Sequence, residues 1–123
     1  MGPNKGFRQA MREAGVTRTA QYERFSDDPE ATLDSMVASL LDAADPPTAI
    51  VGGNNRATMA AVRELRRRRS DVALIGFDDF DMADALNISV IAHDPVEMGR
   101  TAARLALRRL EKPTGRTESV ILP

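Results

Sequence analysis

The chain has 123 residues, of which 42% are hydrophobic and 28% charged, a balance typical of one globular domain. Seventeen basic and eighteen acidic side chains leave a net charge of −1, so no overall field would draw the chain to nucleic acid or anionic membranes. The absence of cysteine excludes disulfides and thiol catalysis, and a single histidine excludes a histidine-rich metal site. Because no apolar stretch approaches the roughly 20 residues of a membrane span and the first residues lack a secretion signal, we expect a cytoplasmic protein.

Helical spacing of apolar residues alternates along the chain with short apolar runs. The i, i+3, i+4, i+7 pattern predicts four helices, over residues 7–14, 33–44, 58–69 and 99–110. Apolar runs predict five strands, over residues 22–25, 48–51, 72–75, 87–92 and 118–122. The Ser-Asp-Asp-Pro segment at 26–29 predicts a turn and the cap of the second helix.

This order of elements is typical of an α/β fold, a Rossmann-like parallel sheet with helices on both faces. The chain begins with a helix, whereas a doubly wound sheet begins with its central strands. We therefore expect the latter part of a larger α/β unit. The four consecutive arginines at 66–69 end a helix, where basic side chains complement the helix dipole, so we do not interpret them as a nucleic-acid site.

Polar residues follow three of the predicted strands, at the end where open parallel sheets bind ligands. Asn54 follows strand 48–51, Phe77 and Asp78 follow strand 72–75, and His93 follows strand 87–92. Amide and carboxylate groups hydrogen-bond sugar or nucleoside hydroxyls, and an aromatic face covers the apolar side of a ring. These four residues are therefore candidate ligand-binding residues.

Each candidate also has a purely structural interpretation. Asn54 can cap the helix that follows it, and Asp78 can satisfy backbone amides in a turn. Phe77 can belong to the core, and His93 can be a hydrogen-bonded residue at a strand end. Asp28 suits a helix cap. From the residues alone, both interpretations stay open.

The sequence gives little support for a catalytic function. The G-x-S-x-G and G-x-x-x-x-G-K-[ST] patterns do not occur, and one histidine would have to serve every acid–base role. A group of four aspartates could attract Mg²⁺, as in a phosphoacceptor receiver domain or a magnesium-dependent enzyme: Asp78, Asp79, Asp81 and Asp84. Such a receiver also needs a lysine at a strand end, and Lys5 and Lys112 lie far from any predicted one.

Three segments, in matching order and spacing, resemble the LacI/GalR family of bacterial transcriptional regulators. Residues 48–60 read TAIVGGNNRATMA, similar to the family's strand that ends in Asn-Asp before a helix. Residues 71–79 read DVALIGFDD, similar to its D-V-S-V-V-G-F-D-D signature. Residues 90–99 read VIAHDPVEMG, similar to a later strand and a helix opening on Met-Gly. With the Gly-Phe pair at 6–7 in the first helix, the resemblance spans nearly the whole chain.

The resemblance implies the C-terminal part of an effector-binding domain like the type I periplasmic sugar-binding proteins. Two lobes close over a small molecule, usually a sugar. Residues 1–92 would form the C-terminal lobe, and residues 93–123 a crossover helix and strand packed on the other lobe. Such regulators are homodimers that bind operator DNA through a helix-turn-helix, absent here, and effector binding alters that affinity. The resemblance implies neither an enzyme nor a cofactor nor membrane binding. A free-standing sugar-binding receptor of the same fold is the alternative.

The resemblance also assigns residue roles. It implies ligand contacts for Asn54, Phe77 and Asp78, the last as hydroxyl acceptor. His93 falls where the family often has glutamine, and Asp28 where a residue stacks on the ligand or bonds to it.

Two departures from the family pattern concern the same site. Asn55 replaces a commoner aspartate, which removes a charge beside the site. Pro3 stands where the family has a ligand-binding arginine, so a bidentate contact is lost. Without the other lobe, the small-residue face of the last helix and a sheet edge would be exposed, so we expect that the chain self-associates or is a piece of a longer protein.

Overall fold

The structure, a computed structural model, describes residues 3–25 and 32–123. It confirms the four predicted helices and three of the predicted strands. The elements in chain order are α1 (Pro3–Glu13), a 3₁₀ turn (Ala20–Tyr22), α2 (Leu33–Leu41), β1 (Ala49–Gly52), α3 (Asn55–Arg68), β2 (Ala73–Phe77), β3 (Ser89–Ile91) and α4 (Pro95–Glu111). None of the described helices combines the length and the apolarity needed to cross a membrane.

The three strands form one parallel sheet in the order β1-β2-β3. Residues 49–52 of β1 lie opposite residues 73–76 of β2, and residues 75–77 of β2 lie opposite residues 89–91 of β3. Each connection contains helical or turn structure, as parallel strands require. The predicted α/β class with a parallel sheet is confirmed.

Two predicted strands are wrong. Residues 22–25 complete the 3₁₀ turn and an irregular segment, because their polar side chains bind α2 and the loop after it. The Tyr22 hydroxyl donates to Asp45 Oδ2 at 2.7 Å, and Arg24 Nε donates to Ser39 Oγ at 2.7 Å. Residues 118–122 are also irregular, because they pair with no strand of the described sheet. They are exposed apart from a half-buried Leu122.

The beginning of α2 differs from the predicted capping segment. The predicted cap at 26–29, which includes Asp28, lies outside the described residues. The observed cap is Thr32, whose Oγ1 accepts from the Ser35 backbone N–H at 3.1 Å. This hydrogen bond satisfies one of the amides that the first helical turn leaves without a partner.

The core lies between α3 and one face of the sheet. Helix α3 packs on β1 and β2, and α2 packs against α3 and contributes Val37 to the same core. The buried hydrophobic residues come from these elements and from the turn before β3: Val37, Leu40, Ile50, Ala60, Ala61, Val62, Leu65 and Ala83. Side chains on a strand alternate between its two faces, so every second strand residue points into this core.

The opposite side, which we call the open face, is formed by Val51, Ile75, Phe77 and Ile91. These four side chains are 37–53% exposed. In register, Val51 neighbours Ile75, and Phe77 neighbours Ile91, so the four form one apolar surface. Parallel sheets in intact α/β domains have helices on both faces. The described helices of this chain cover only one.

Helix α4 likewise presents apolar residues to solvent. Among its described residues none is buried, and Leu107 and Leu110 are 61% and 76% exposed. The whole chain exposes 9573 Å², whereas a folded monomer of this size exposes about 6,500 Å². The surplus is as large as the area that many obligate interfaces bury.

Glu64 of α3 holds Arg68, which joins the ends of α2 and α3. Glu64 is 7% exposed and accepts hydrogen bonds from Arg67 Nε at 3.1 Å and Arg68 Nε at 2.7 Å. Arg68 Nη2 also donates to Asp42 Oδ2 at 3.1 Å, just after α2. Hydrogen bonds from Arg67 and then Arg68 lower the pKa of Glu64 from 4.5 to about 2, against the opposing effect of burial.

We expect the folded chain to lose stability as the pH falls from about 4.5 through about 2. The folded-state pKa of Glu64 is depressed, so its contribution is present above the unfolded value and lost as the carboxylate takes up a proton. Urea unfolding from pH 2 to 7 measures this loss. Glu64→Gln should be less stable at pH 7 and show a flatter acid limb. Glu111→Gln, at the exposed end of α4, is the matched control and should leave the profile unchanged.

We also expect the chain on its own to self-associate at micromolar concentration, because the open face and α4 leave apolar surface in water. Sedimentation velocity measures the oligomeric state. The double substitution Leu107→Glu/Leu110→Glu should shift the population towards monomer, whereas Arg104→Glu, also on α4, should not. A sharp monomer peak with cooperative unfolding of the unsubstituted chain would contradict this expectation.

Candidate functional site

The carboxyl ends of the three strands meet at one edge of the sheet, as the parallel pairing requires. Asn54 follows β1, Asp78 follows β2, and His93 follows β3. Phe77 is the last residue of β2. Four of the five residues predicted to bind a ligand therefore lie at this edge. The fifth, Asp28, is outside the described residues.

The first turn of α3 packs closely against the carboxyl ends of β1 and β2 and so fixes the position of α3 at this edge. The Thr58 side chain is fully buried, and a Cβ on Gly52 would lie 2.9 Å from Thr58 Cα. A Cβ on Gly76 would lie 3.0 Å from Thr58 Cγ2. A Cβ on Gly52 is therefore not possible without movement of the strand or the helix, whereas a Cβ on Gly76 would require the Thr58 methyl group to shift by a few tenths of an ångström. The two glycines thus allow α3 to begin directly against the strand ends.

Asn54 uses part of its side chain to begin α3. Its Oδ1 accepts from the Ala57 backbone N–H at 2.9 Å, so its interpretation as a helix cap is confirmed. Its backbone carbonyl accepts from the Thr58 hydroxyl at 3.0 Å. Among the residues that the structure describes, none accepts a hydrogen bond from Asn54 Nδ2. The capping role therefore leaves a donor for a ligand.

The two aspartates after β2 have different roles. Asp79 Oδ1 accepts from the Phe80 backbone N–H at 2.8 Å, which is a turn contact. Asp78 has φ +71°, a left-handed conformation that aspartate tolerates better than most residues. Its N–H donates to the Ile91 carbonyl at 2.9 Å and so ties the loop to the end of β3. Within the described ranges no backbone N–H donates to the Asp78 carboxylate.

His93 lies next to Asp78. Its Nδ1 is 3.7 Å from Asp78 Oδ1, and the two side chains are 46% and 38% exposed. The register of β2 and β3 brings these residues together, because Phe77 lies opposite Ile91. Their separation is suitable for two groups that contact neighbouring atoms of one ligand.

Phe77 does not belong to the core. It is 37% exposed and lies on the open face beside Ile91. An aromatic ring at the sheet edge next to a carboxylate is an arrangement that suits a ring-shaped ligand with hydroxyl groups. The core interpretation of Phe77 is wrong because β2 turns this side chain away from α3.

A cleft beside the first turn of α3 was not predicted from the sequence. It has a volume of about 540 Å³ and is lined by α2 and α3 residues: Thr32, Leu33, Asp34, Asn55, Arg56, Met59 and Arg63. Arg63 Nη2 donates to Asp34 Oδ1 across it at 2.7 Å. Neither Asp78 nor His93 lines it. The only sequence signal was the position of Asn55 and Arg56 directly after Asn54.

The acidic residues of the β2–β3 connection do not form a metal centre in the part of the chain that the structure describes. No group of three or more histidine, cysteine, aspartate or glutamate side chains there could hold a metal ion.

The architecture defines the class of protein: an α/β domain with polar residues gathered at the carboxyl edge of a parallel sheet. The model of the periplasmic binding protein-like domain family matches residues 4–123, and the chain belongs to this family. Its similarity to named HTH-type transcriptional regulators confirms the resemblance to the LacI/GalR family.

Three of these relatives illustrate the similarity. The chain is 34% identical to the regulator CelR of Thermobifida fusca, over 96% of the chain and 36% of the relative. It is 34% identical to the regulator DegA of Bacillus subtilis, over 97% of the chain and 37% of the relative. It is 27% identical to the repressor CytR of Escherichia coli K12, over 87% and 33%. The chain thus spans about a third of the length of the curated relatives it matches.

The seating of α3 on the sheet can be tested at Gly52. Gly52→Ala should destabilise the chain by about 3 kcal/mol, because the added methyl group meets the backbone of Thr58. Urea unfolding measures this change. The neighbouring Gly53→Ala is the matched control, since a Cβ there meets nothing within 4 Å, and it should change stability by less than about 1 kcal/mol. Equal effects of the two substitutions would contradict this account.

Proposed function

We propose that the chain is the C-terminal part of the effector-binding domain of a LacI/GalR-type transcriptional regulator. Its site binds a small, hydroxyl-rich molecule, a carbohydrate, at the carboxyl edge of the sheet. The observation that carries the proposal is the Asp78 carboxylate, which is held at this edge by a backbone hydrogen bond to Ile91. A carboxylate placed in this way can accept hydrogen bonds from ligand hydroxyls.

The other residues complement this acceptor. Asn54 Nδ2 donates to a ligand oxygen, while its Oδ1 continues to cap α3. Phe77 covers an apolar face of the ligand, and His93 contacts the atom next to the one that Asp78 binds. Asp28 is a fifth contact on the strength of the family resemblance alone.

Residues 93–123 form the crossover segment of the intact domain and pack on its other lobe, whereas residues 1–92 belong to the C-terminal lobe. Support comes from α4, whose described side chains are all at least partly exposed although Leu107 and Leu110 are apolar. A second lobe that covers α4 would remove this apolar surface from water, which is favourable.

The whole regulator is a cytoplasmic homodimer and not an enzyme. It binds operator DNA through a helix-turn-helix outside this chain, and the effector changes that affinity by shifting the lobes. Support comes from the similarity to HTH-type repressors and to an arabinose metabolism transcriptional repressor of Halalkalibacterium halodurans.

A thermal-shift screen against pentoses, hexoses, disaccharides, nucleosides and purines tests the proposal. A compound at 100 times its Kd adds about 2.7 kcal/mol of stability, which raises the Tm by several degrees. Asp78→Asn should abolish this rise, because the substitution keeps the size and the tolerance of a left-handed backbone but removes the charge.

The matched control is Asp79→Asn. An asparagine there retains the oxygen that accepts from the Phe80 N–H, so the turn is kept and the ligand-induced rise in Tm should persist. A rise that survives Asp78→Asn unchanged would show that the ligand does not use this carboxylate. Silence across the whole panel would count against a carbohydrate or nucleoside effector.

A further inference from the structure

The cleft beside the first turn of α3 adjoins the carboxyl edge of the sheet. Asn55 and Arg56, which line the cleft, directly follow Asn54 at the end of β1. The ends of β1 and β2 are paired in register on strands about 4.8 Å apart, so Asn54 and Asp78 follow neighbouring strand ends. A small molecule held by Asp78 can therefore extend past Asn54 into the cleft.

The cleft has the size and the surface of a small-molecule site. Its volume of about 540 Å³ lies within the range of roughly 300–1,000 Å³ that is usual for ligand pockets. Leu33 and Met59 on its wall are apolar and half-buried, whereas Asn55 and Arg56 are polar and exposed. An apolar wall with a few polar groups is the usual composition of a ligand pocket.

Arg56 has neither an ion-pair partner among the described residues nor a favourable place on its helix. No carboxylate of the described residues lies within 4.0 Å of its guanidinium, whereas Arg63, Arg67 and Arg68 of α3 all pair with acidic residues. It belongs to the first turn of α3, which contains no acidic residue and where the helix dipole disfavours a cation. Arg66, which also has no described ion pair, lies in the last turn, where the dipole favours it. Among the arginines of α3, Arg56 is thus the one whose charge the described residues do not compensate.

The other charged side chains on the cleft neutralise each other. Arg63 Nη2 donates to Asp34 Oδ1 at 2.7 Å, so this pair adds no net charge. Among the described residues that line the cleft, Arg56 is then the only source of uncompensated charge, and it is positive. A guanidinium binds a phosphate or a carboxylate group through two parallel hydrogen bonds. The charge and the donors of the cleft therefore fit an anionic group.

We propose that the effector carries an anionic group, a phosphate ester or a carboxylate, which Arg56 binds in the cleft while Asp78 accepts from hydroxyls of the same molecule. The amide of Asn55, on the same cleft, supplies a further donor. Arg56 consequently distinguishes an anionic sugar from its neutral parent. This inference rests on the proposed function, because it names the chemical class of ligand for that site.

Isothermal titration with matched sugars tests the inference, in a phosphate-free buffer of low ionic strength. The probes are D-glucose with D-glucose 6-phosphate and D-glucuronate, and D-ribose with D-ribose 5-phosphate. An anionic sugar should bind about tenfold more tightly than its neutral parent, because charge-assisted hydrogen bonds are stronger than neutral ones. The phosphate and carboxylate arms distinguish the two sources of the charge. Equal affinities within every set would overturn the inference and leave the proposed function standing.

Substitution of Arg56 shows whether its guanidinium causes the preference. Arg56→Gln should reduce the preference for the anionic sugar to less than about twofold and leave the affinity for the neutral sugar unchanged. Arg66→Gln, on the same helix but away from the cleft, is the matched control and should keep the preference. Urea unfolding should show no loss of stability in Arg56→Gln, because the substitution removes a cation from a helix N-terminus. A preference that survives in Arg56→Gln, or that falls equally in both variants, would overturn the inference.

Inorganic phosphate is a probe that does not depend on the identity of the sugar. In ¹H–¹⁵N NMR spectra the Arg56 Nε–H signal should shift and saturate as phosphate is added, whereas the Arg66 Nε–H signal should stay in place. No shift, or equal shifts of the two signals, would overturn the anion site. If neither the neutral nor the anionic sugars bind, the proposed function fails, and this titration alone then decides whether Arg56 holds an anion in the cleft.

Discussion

The candidate site depends on the packing of the Thr58 side chain against Gly52 and Gly76. The buried side chain fills the space that two glycines leave at the ends of neighbouring strands. Its hydroxyl and its backbone N–H both donate to the Asn54 carbonyl, at 3.0 and 2.9 Å. Helix α3 therefore begins at the sheet edge itself, and Asn54 is brought to the edge where Asp78 also lies. A larger residue at Gly52 would meet the backbone of Thr58 and push α3 away from the strand ends.

The two faces of the sheet show how the chain relates to the longer relatives. Ile50 and Leu74 point towards α3 and its core, whereas Val51 and Ile75, one residue further along each strand, are exposed. All-parallel sheets occur almost only in domains where both faces are covered. The matched relatives are about three times as long as this chain, and the packing of the open face and α4 on another lobe belongs to the function that we propose.

Of the aspartates at this edge, Asp78 is the one whose carboxylate is not used by a backbone amide among the described residues. Each strand end and helix start carries amides that need partners, and nearby side chains supply them. Asp79 serves a turn, and Asp94 serves α4. Asp78 instead donates its own N–H to the Ile91 carbonyl, which holds its carboxylate at the edge without engaging it. Asp79 and Asp94 thus satisfy backbone amides, whereas the Asp78 carboxylate stays available for the ligand contact that we propose.

The sequence by itself determined the features that depend on local spacing. Apolar periodicity placed all four helices, and the position of Asn54 before α3 predicted a cap. The wrong strands at 22–25 and 118–122 show the limit of this approach, because a strand exists only where a neighbouring edge accepts its hydrogen bonds.

Contacts between residues that are far apart in the sequence became visible only in the tertiary structure. The register of β2 and β3 brought His93 to Asp78, and the direction of β2 put Phe77 on the open face. The packing of α2 on α3 formed the cleft at Arg56. These outcomes have one physical reason: each depends on which surfaces of separate elements meet, and sequence spacing within one element carries no information about that.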